Sequence, residues 1–265
     1  MDIKIIAADL DDTLLDGALE ITPRCREAVA RASRLGVGVV LASGRMARSI
    51  APYWGMLGLR TPVVACNGAT VYSGPGGGLL YHRPVGAEAA REACAFAESN
   101  GWYVQAYVGD GYIFERECAY SELYRRISGV AGSAAGAPLS VALSGPPHKL
   151  LVIDEPGRVP AILEALRARY GGSLEAATSK PNYIEITHPE ANKGAALRAA
   201  LGHLGAAPEN VMAIGDSLND IPMFKVAGLA VAMGNAHAEA KRAAHYVTLS
   251  NDEDGAAAAI ERFVL

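Results

Sequence analysis

Apolar residues fall in short runs that stop abruptly at small or acidic residues, and the runs alternate with stretches of helical spacing. Residues 3–8 (I-K-I-I-A-A) are the first run, long enough for one buried strand of a parallel sheet. Thr22-Pro23 reads as an N-cap followed by proline at the first helical position, and Gly36 closes that helix. A strand near 37–42, a helix from Met46 towards Gly58 and a strand at 63–66 follow. This β-α-β-α-β order predicts a parallel sheet with helices on both faces. G-P-G-G-G at 74–78, between two short apolar runs, reads as a hairpin turn.

Past Arg83 the pattern changes. A helix over 87–99 ends at Asn100-Gly101. Aromatic-rich strands at 102–108 and 112–114 flank Asp110-Gly111, and 129–137, rich in Gly, Ala and Ser, reads as a loop. A strand at 149–153, a helix over 160–170 and strands at 174–177 and 183–187 complete an α+β segment. After Pro189 the parallel-type pattern returns and continues to the end. The chain is thus expected to form a core from 1–82 and 188–265, with an inserted domain over 83–187 and candidate hinges near Pro84 and Pro189.

Candidate chemistry sits where the core runs end. Residues 9–14 read D-L-D-D-T-L. Side chains two apart on a strand face the same way, so Asp9 and Asp11 are expected to lie together, a repulsion that a divalent cation or a shared proton relieves. At 43–45, S-G-R follows the second strand. A hydroxyl and a glycine before a helix make a seat for a phosphate oxygen, unless Ser43 simply caps that helix. N-K-G at 192–194 opens an alanine-rich helix. A lysine opposes the positive end of the helix dipole, so Lys193 suggests an anionic neighbour. The fourth segment, G-D-S-L-N-D at 215–220, carries Asp216, Asn219 and Asp220, hard oxygen ligands suited to magnesium.

These segments, in this order, resemble the haloacid dehalogenase-like (HAD) phosphohydrolases of the Cof-like branch. N-G-A at 67–69 and M-G-N-A at 233–236 are also similar to that branch. Asp12 departs from it, standing where many relatives carry glycine, and is expected to point away from the site. The resemblance implies a Rossmann-like parallel-sheet core with an inserted C2-type α+β cap closing over the site. It also implies Asp9 as a nucleophile forming an aspartyl-phosphate, Asp11 as general acid and then base, and Lys193 as the charge clamp. Mg²⁺ would be held by Asp9, the Asp11 carbonyl and Asp216, with Asn219 or Asp220 assisting directly or through water. Ser43, Gly44, Arg45 and Asn67 are the phosphate- or substrate-binding candidates. Arg45 could equally be a guanidinium paired with a core carboxylate, Asn67 a plain Asn-Gly turn residue, and Asn235 a helix cap.

The implied activity is hydrolysis of small phosphomonoesters: sugar phosphates, phosphorylated cofactors such as pyridoxal phosphate or a flavin nucleotide, or phosphoglycolate. Phosphomutase chemistry on the same site, or a silent phosphate-binding regulator, are the alternatives. The chain has 265 residues, enough for two modest domains with real cores. A net charge of −4 and a pI near 5.9 argue against a nucleic-acid or anionic-membrane partner. No apolar run approaches the roughly 20 residues that span a bilayer. Scattered cysteines (Cys25, Cys66, Cys94, Cys118) and the direct entry into the first strand point to a reducing cytoplasm, with the protein a monomer or homodimer. The histidines show no metal spacing. Trp102, Tyr103, Tyr107 and Tyr112 read as the core of the inserted domain, and Lys180, Asn182, Glu185 and His188 as secondary candidates for substrate contact.

Overall fold

The computed structural model describes residues 2–265. They divide into two compact units, one made of the residues up to Tyr81 together with Asn192–Leu265, the other of His82–Ala191. In chain order the first unit opens with strand β1 (Ile5–Ala8), helix α1 (Pro23–Arg34), β2 (Gly38–Ala42), α2 (Ala47–Met56) and β3 (Val63–Ala65). The hairpin β4 (Thr70–Tyr72) and β5 (Leu79–His82) follows, its turn closed by Ser73 N–H to the Gly78 carbonyl at 2.9 Å. The second unit holds α3 (Ala87–Ser99), β6 (Tyr103–Val108), β7 (Gly111–Phe114), α4 (Ala119–Ser128), β8 (Ser133–Ala134), α5 (Leu139–Ala142), β9 (Leu150–Ile153), α6 (Val159–Tyr170), β10 (Glu175–Lys180) and β11 (Tyr183–Thr187). The first unit then resumes with α7 (Lys193–Leu204), β12 (Val211–Gly215), α8 (Ile221–Phe224), β13 (Leu229–Ala232), α9 (Ala238–Ala243), β14 (Tyr246–Val247) and α10 (Gly255–Phe263).

The first unit carries an eight-stranded sheet ordered β14-β13-β12-β1-β2-β3-β4-β5. Its strands from β14 to β3 are parallel, β3 pairs antiparallel with β4, and the β4–β5 hairpin ends the sheet. All four residues of β1 are buried, as an apolar run covered on both faces requires. Thr22 accepts from Cys25 N–H at 3.1 Å, so the cap and proline fix the start of α1 as the sequence predicts. The chain leaves β1 towards β2 on one side and returns to pair with it as β12 on the other. That reversal of strand order leaves a crevice beyond the carboxyl ends of β1 and β12, the place where open α/β sheets bind ligands.

The second unit is a six-stranded mixed sheet, β10-β11-β9-β6-β7-β8. One face packs Val104, Ala106, Leu150, Val152, Ile184 and Ile186 in a single core with the buried residues of α3, α5 and α6. Tyr107, Tyr112 and Tyr183 cluster around Tyr124 of α4. Lys149 and Glu185 form a buried pair at 2.6 Å, with Lys149 Nζ 4.4 Å from the centre of the Tyr107 ring. Glu185 is thus a structural partner of Lys149. Two expectations need correction. Helix α4 has no counterpart in the sequence reading, because its buried residues are Ser121, Tyr124 and Ser128 and show no aliphatic stripe. The 129–137 loop contains β8, which pairs Ser133 and Ala134 with Ile113 and Phe114 of β7 through the backbone.

Candidate active site

Asp9 directly follows β1, and Asp216 directly follows β12, so the parallel pairing of these strands brings the two carboxylates to one edge. Asp9 N–H donates to the Ile214 carbonyl at 3.0 Å, which locks this register. The chain then turns sharply, with Asp12 at φ +56°, a left-handed conformation that aspartate tolerates and glycine adopts freely. That explains why Asp12 can stand where relatives carry glycine. Its side chain is exposed, as expected, yet its charge still reaches Asp216.

Lys193 opens α7 and is wholly buried. Its Nζ lies 2.8 Å from Asp9 Oδ1 and 2.6 Å from Asp220 Oδ1. The anionic neighbour that its place at a helix start suggested is this pair. Asn192, the N-cap, accepts from Ala195 N–H at 2.9 Å and fixes where the helix begins. Asp220 is also fully buried, and its Oδ2 accepts from the Asp216 and Ser217 N–H groups at 3.0 and 2.9 Å. It braces both the 215–220 loop and Lys193. Thr13 donates to Asp216 Oδ1 at 3.1 Å.

Asp9, Asp216 and Asp220 each offer an oxygen, all within 4.8 Å of one another. Three carboxylates against one ammonium leave the cluster short of positive charge. Burial, followed by the neighbouring carboxylates, pushes Asp9 well above its ordinary range despite Lys193. Burial and Asp220 push Asp216 up to about 7. Burial opposes the charge on Lys193, but Asp220 and Asp9 outweigh it and hold the ammonium above its usual value. The Oδ1 of Asn219 is buried with no hydrogen-bond partner. Hard oxygen donors, excess negative charge and an unmatched amide oxygen together fit a divalent cation of the magnesium type.

The remaining sequence candidates converge on the same edge. Ser43 is buried at the end of β2, and its Oγ accepts from Arg45 N–H at 3.1 Å. The residue at the N-cap of α2 is Met46, so capping does not explain Ser43. Arg45 forks onto Asp11, Nε to Oδ2 at 2.8 Å and Nη2 to Oδ1 at 2.7 Å. Asn67 has φ +57° and accepts from Asn219 Nδ2 at 3.0 Å. A Cβ on Gly44 would press on Asn67 Oδ1, so glycine is what allows this approach. Gly68, at φ +90°, lies against the Asn192 carbonyl, so the N-G-A and N-K-G segments pack backbone to backbone.

Asn235 is not the cap of the following helix. It donates from Nδ2 to the Asp12 carbonyl at 2.8 Å and accepts from Asn251 N–H at 3.0 Å, clamping the turn after β1. His237 caps α9 instead. Thr13 and Asn251 were missed by the sequence reading. The signal for Thr13 was its place two residues after Asp11, whereas Asn251 carried none. In the second unit, the Asn182 carbonyl accepts from Asp154 N–H at 3.2 Å and His188 Nδ1 from Glu190 N–H at 3.1 Å.

A strand end bearing a buried carboxylate, a buried lysine and an acidic loop at the switch point of a parallel sheet are an arrangement suited to phosphoryl transfer. The family model for haloacid dehalogenase-like hydrolases matches residues 6–260, and the chain belongs to that family, in its Cof-like (IIB) group. It is 31% identical over 279 residues to phosphatase YwpJ of Bacillus subtilis, across 96% of this chain and 98% of that one. It is also 31% identical to the 5-amino-6-(5-phospho-D-ribitylamino)uracil phosphatase YcsE of Bacillus subtilis, covering 100% and 97%. A solved haloacid dehalogenase-like hydrolase from Bacteroides thetaiotaomicron superposes with a TM-score of 0.89 at 31% identity, covering 98% and 99%. The protein is accordingly a phosphoric monoester hydrolase. No helix among the described residues is long and apolar enough to cross a membrane.

Proposed function

We propose that the protein is a magnesium-dependent phosphatase of small phosphorylated metabolites, working through an aspartyl-phosphate on Asp9. The observation that carries this reading is the buried Lys193 held between Asp9 and Asp220, beside Asp216. Asp9 attacks phosphorus in line and the alcohol leaves; water then hydrolyses the acyl-phosphate. Attack by an anion on an anionic ester is opposed by charge, so the surrounding cations decide the rate. Lys193 supplies one positive charge directly at the nucleophile. Magnesium would be held by Asp9, the Asp11 carbonyl and Asp216, with Asn219 or Asp220 completing the set. When bound, it supplies further positive charge to the phosphoryl oxygens. Asp11 gives a proton to the leaving alcohol and later takes one from water. The Ser43 hydroxyl and the Gly44 N–H seat phosphoryl oxygens, with the Asn67 amide beside them.

Sugar phosphates lead the substrate classes, with phosphorylated cofactors and phosphoglycolate next. The likeness to YcsE, named for a phosphorylated ribitylamino-uracil, supports a polyhydroxylated ester. Substrate choice belongs to the 82–191 unit, since the machinery described above lies in the other. The test is turnover of p-nitrophenyl phosphate with magnesium, with and without EDTA, for wild type and Asp9→Asn, followed by a screen of phosphorylated metabolites. Turnover that persists in EDTA, or near-normal activity of Asp9→Asn, would refute the reading.

A further inference from the structure

Besides Lys193, a second cation touches the acidic edge. Arg45 makes a two-point fork with both oxygens of Asp11, at 2.8 and 2.7 Å. Its side chain is 13% exposed and that of Asp11 27%, so the fork is largely shielded from water. The guanidinium is also supported from behind. The Tyr53 ring centre lies 5.4 Å from Cζ, and the Tyr53 hydroxyl donates to the Leu19 carbonyl at 3.4 Å. The Arg45 main chain is tied at both ends, its N–H to Ser43 Oγ at 3.1 Å and its carbonyl to Cys66 N–H at 2.9 Å. An arginine pinned in this way fixes the plane of its partner carboxylate. The fork takes two of the roughly four lone-pair sites of a carboxylate.

We propose that Arg45 is a positioning residue that acts through Asp11, aiming its carboxylate at the leaving and attacking oxygens, and does not itself bind the phosphate. This rests on the phosphatase reading above. A guanidinium that moved to the phosphate would strip two charge-assisted bonds from a half-buried carboxylate and leave the Tyr53 support behind.

The test is steady-state kinetics on p-nitrophenyl phosphate with magnesium for wild type, Arg45→Lys, Arg45→Met, Asp11→Asn and the Asp11→Asn/Arg45→Met double variant. In Arg45→Met, kcat should fall about 30-fold or more while KM stays within about threefold. Arg45→Lys, which keeps the charge and loses the fork, should lie between; it carries the same kcat-against-KM split if the methionine variant does not fold. Adding Arg45→Met to Asp11→Asn should slow first-turnover release of p-nitrophenolate by less than about threefold, because the two residues act as one unit. A rise in KM of about tenfold, or losses that multiply in the double variant, would overturn the proposal and make Arg45 a substrate ligand. Absence of magnesium-dependent turnover in wild type would overturn the phosphatase reading, and this one with it.

Discussion

Replacing Lys193 with Met keeps much of its volume and removes its charge. The ammonium has no solvent access and lies 2.8 and 2.6 Å from Asp9 and Asp220. At an effective dielectric near 20, each contact is worth about 6 kcal/mol of gross attraction. Most of that offsets the desolvation of the three ions. Deleting one partner of a buried pair costs about 3–5 kcal/mol, because the other charge stays behind. Here two stay behind, within 4.8 Å of a third carboxylate, Asp216. Asp9, already pushed up by burial, relieves the strain by taking a proton, so its folded value rises further above the unfolded one. A raised carboxyl binds more protons folded than unfolded, so its penalty is full above the folded value and fades as pH falls. Urea unfolding in EDTA should therefore show a loss of about 3–5 kcal/mol near pH 7.5 and a smaller one near pH 5.5. Turnover should drop by roughly a thousandfold or more. A variant within about 1 kcal/mol of wild type near pH 7.5 would refute the charge argument.

In metal-free wild type, the shift of Asp216 from 3.8 to about 7 means that its contribution improves as pH falls from about 7 towards 4, by at most about 4 kcal/mol. Thermal unfolding in EDTA should show Asp216→Asn closing on wild type at low pH and exceeding it at neutral pH; a constant difference sinks the idea. Gly68→Ala puts a Cβ into the Asn192 backbone at φ +90°, so it should cost about 2–3 kcal/mol in urea unfolding and lower kcat by displacing the start of α7; unchanged stability would refute it. Replacing Lys180 or Asn182, in the 82–191 unit, should reorder kcat/KM among metabolites while sparing p-nitrophenyl phosphate; equal losses on both would refute that division of labour.

The parallel core was legible because three of its apolar runs stop where the candidate chemistry begins: Ala8 before Asp9, Ala42 before Ser43, Gly215 before Asp216. Buried strands exclude polar residues along their length, so the first polar residue after each run marks the sheet edge. Helix α3 over 87–99 was legible from its small-residue stripe and its Asn-Gly stop. Helix α4 was not, since Ser121, Tyr124 and Ser128 give no apolar period, and neither was β8, whose two side chains are exposed. Arg45 stayed ambiguous because its partner lies 34 residues away, and only the fold decides which carboxylate a guanidinium meets. Asn235 was ambiguous for a similar reason: its partner, the Asp12 carbonyl, lies 223 residues away.

The burial pattern leaves the acidic cluster in need of positive charge. Lys193 cannot neutralise the cluster alone, for it meets two carboxylates and a third stands beside them. Asp220 is held more fully than Asp216. Its Oδ1 is taken by Lys193 and its Oδ2 by two N–H groups of its own loop, whereas Asp216 is held through one oxygen by Thr13. Asp220 therefore spends its charge on geometry, fixing the lysine and the loop. Asp9 meets Lys193 through one oxygen, and both Asp9 and Asp216 are pushed up by burial. Carboxylates in that condition either take protons or take a metal. Only the second leaves Asp9 an anion, so under the proposed function metal binding and readiness of the nucleophile are two aspects of one charge balance.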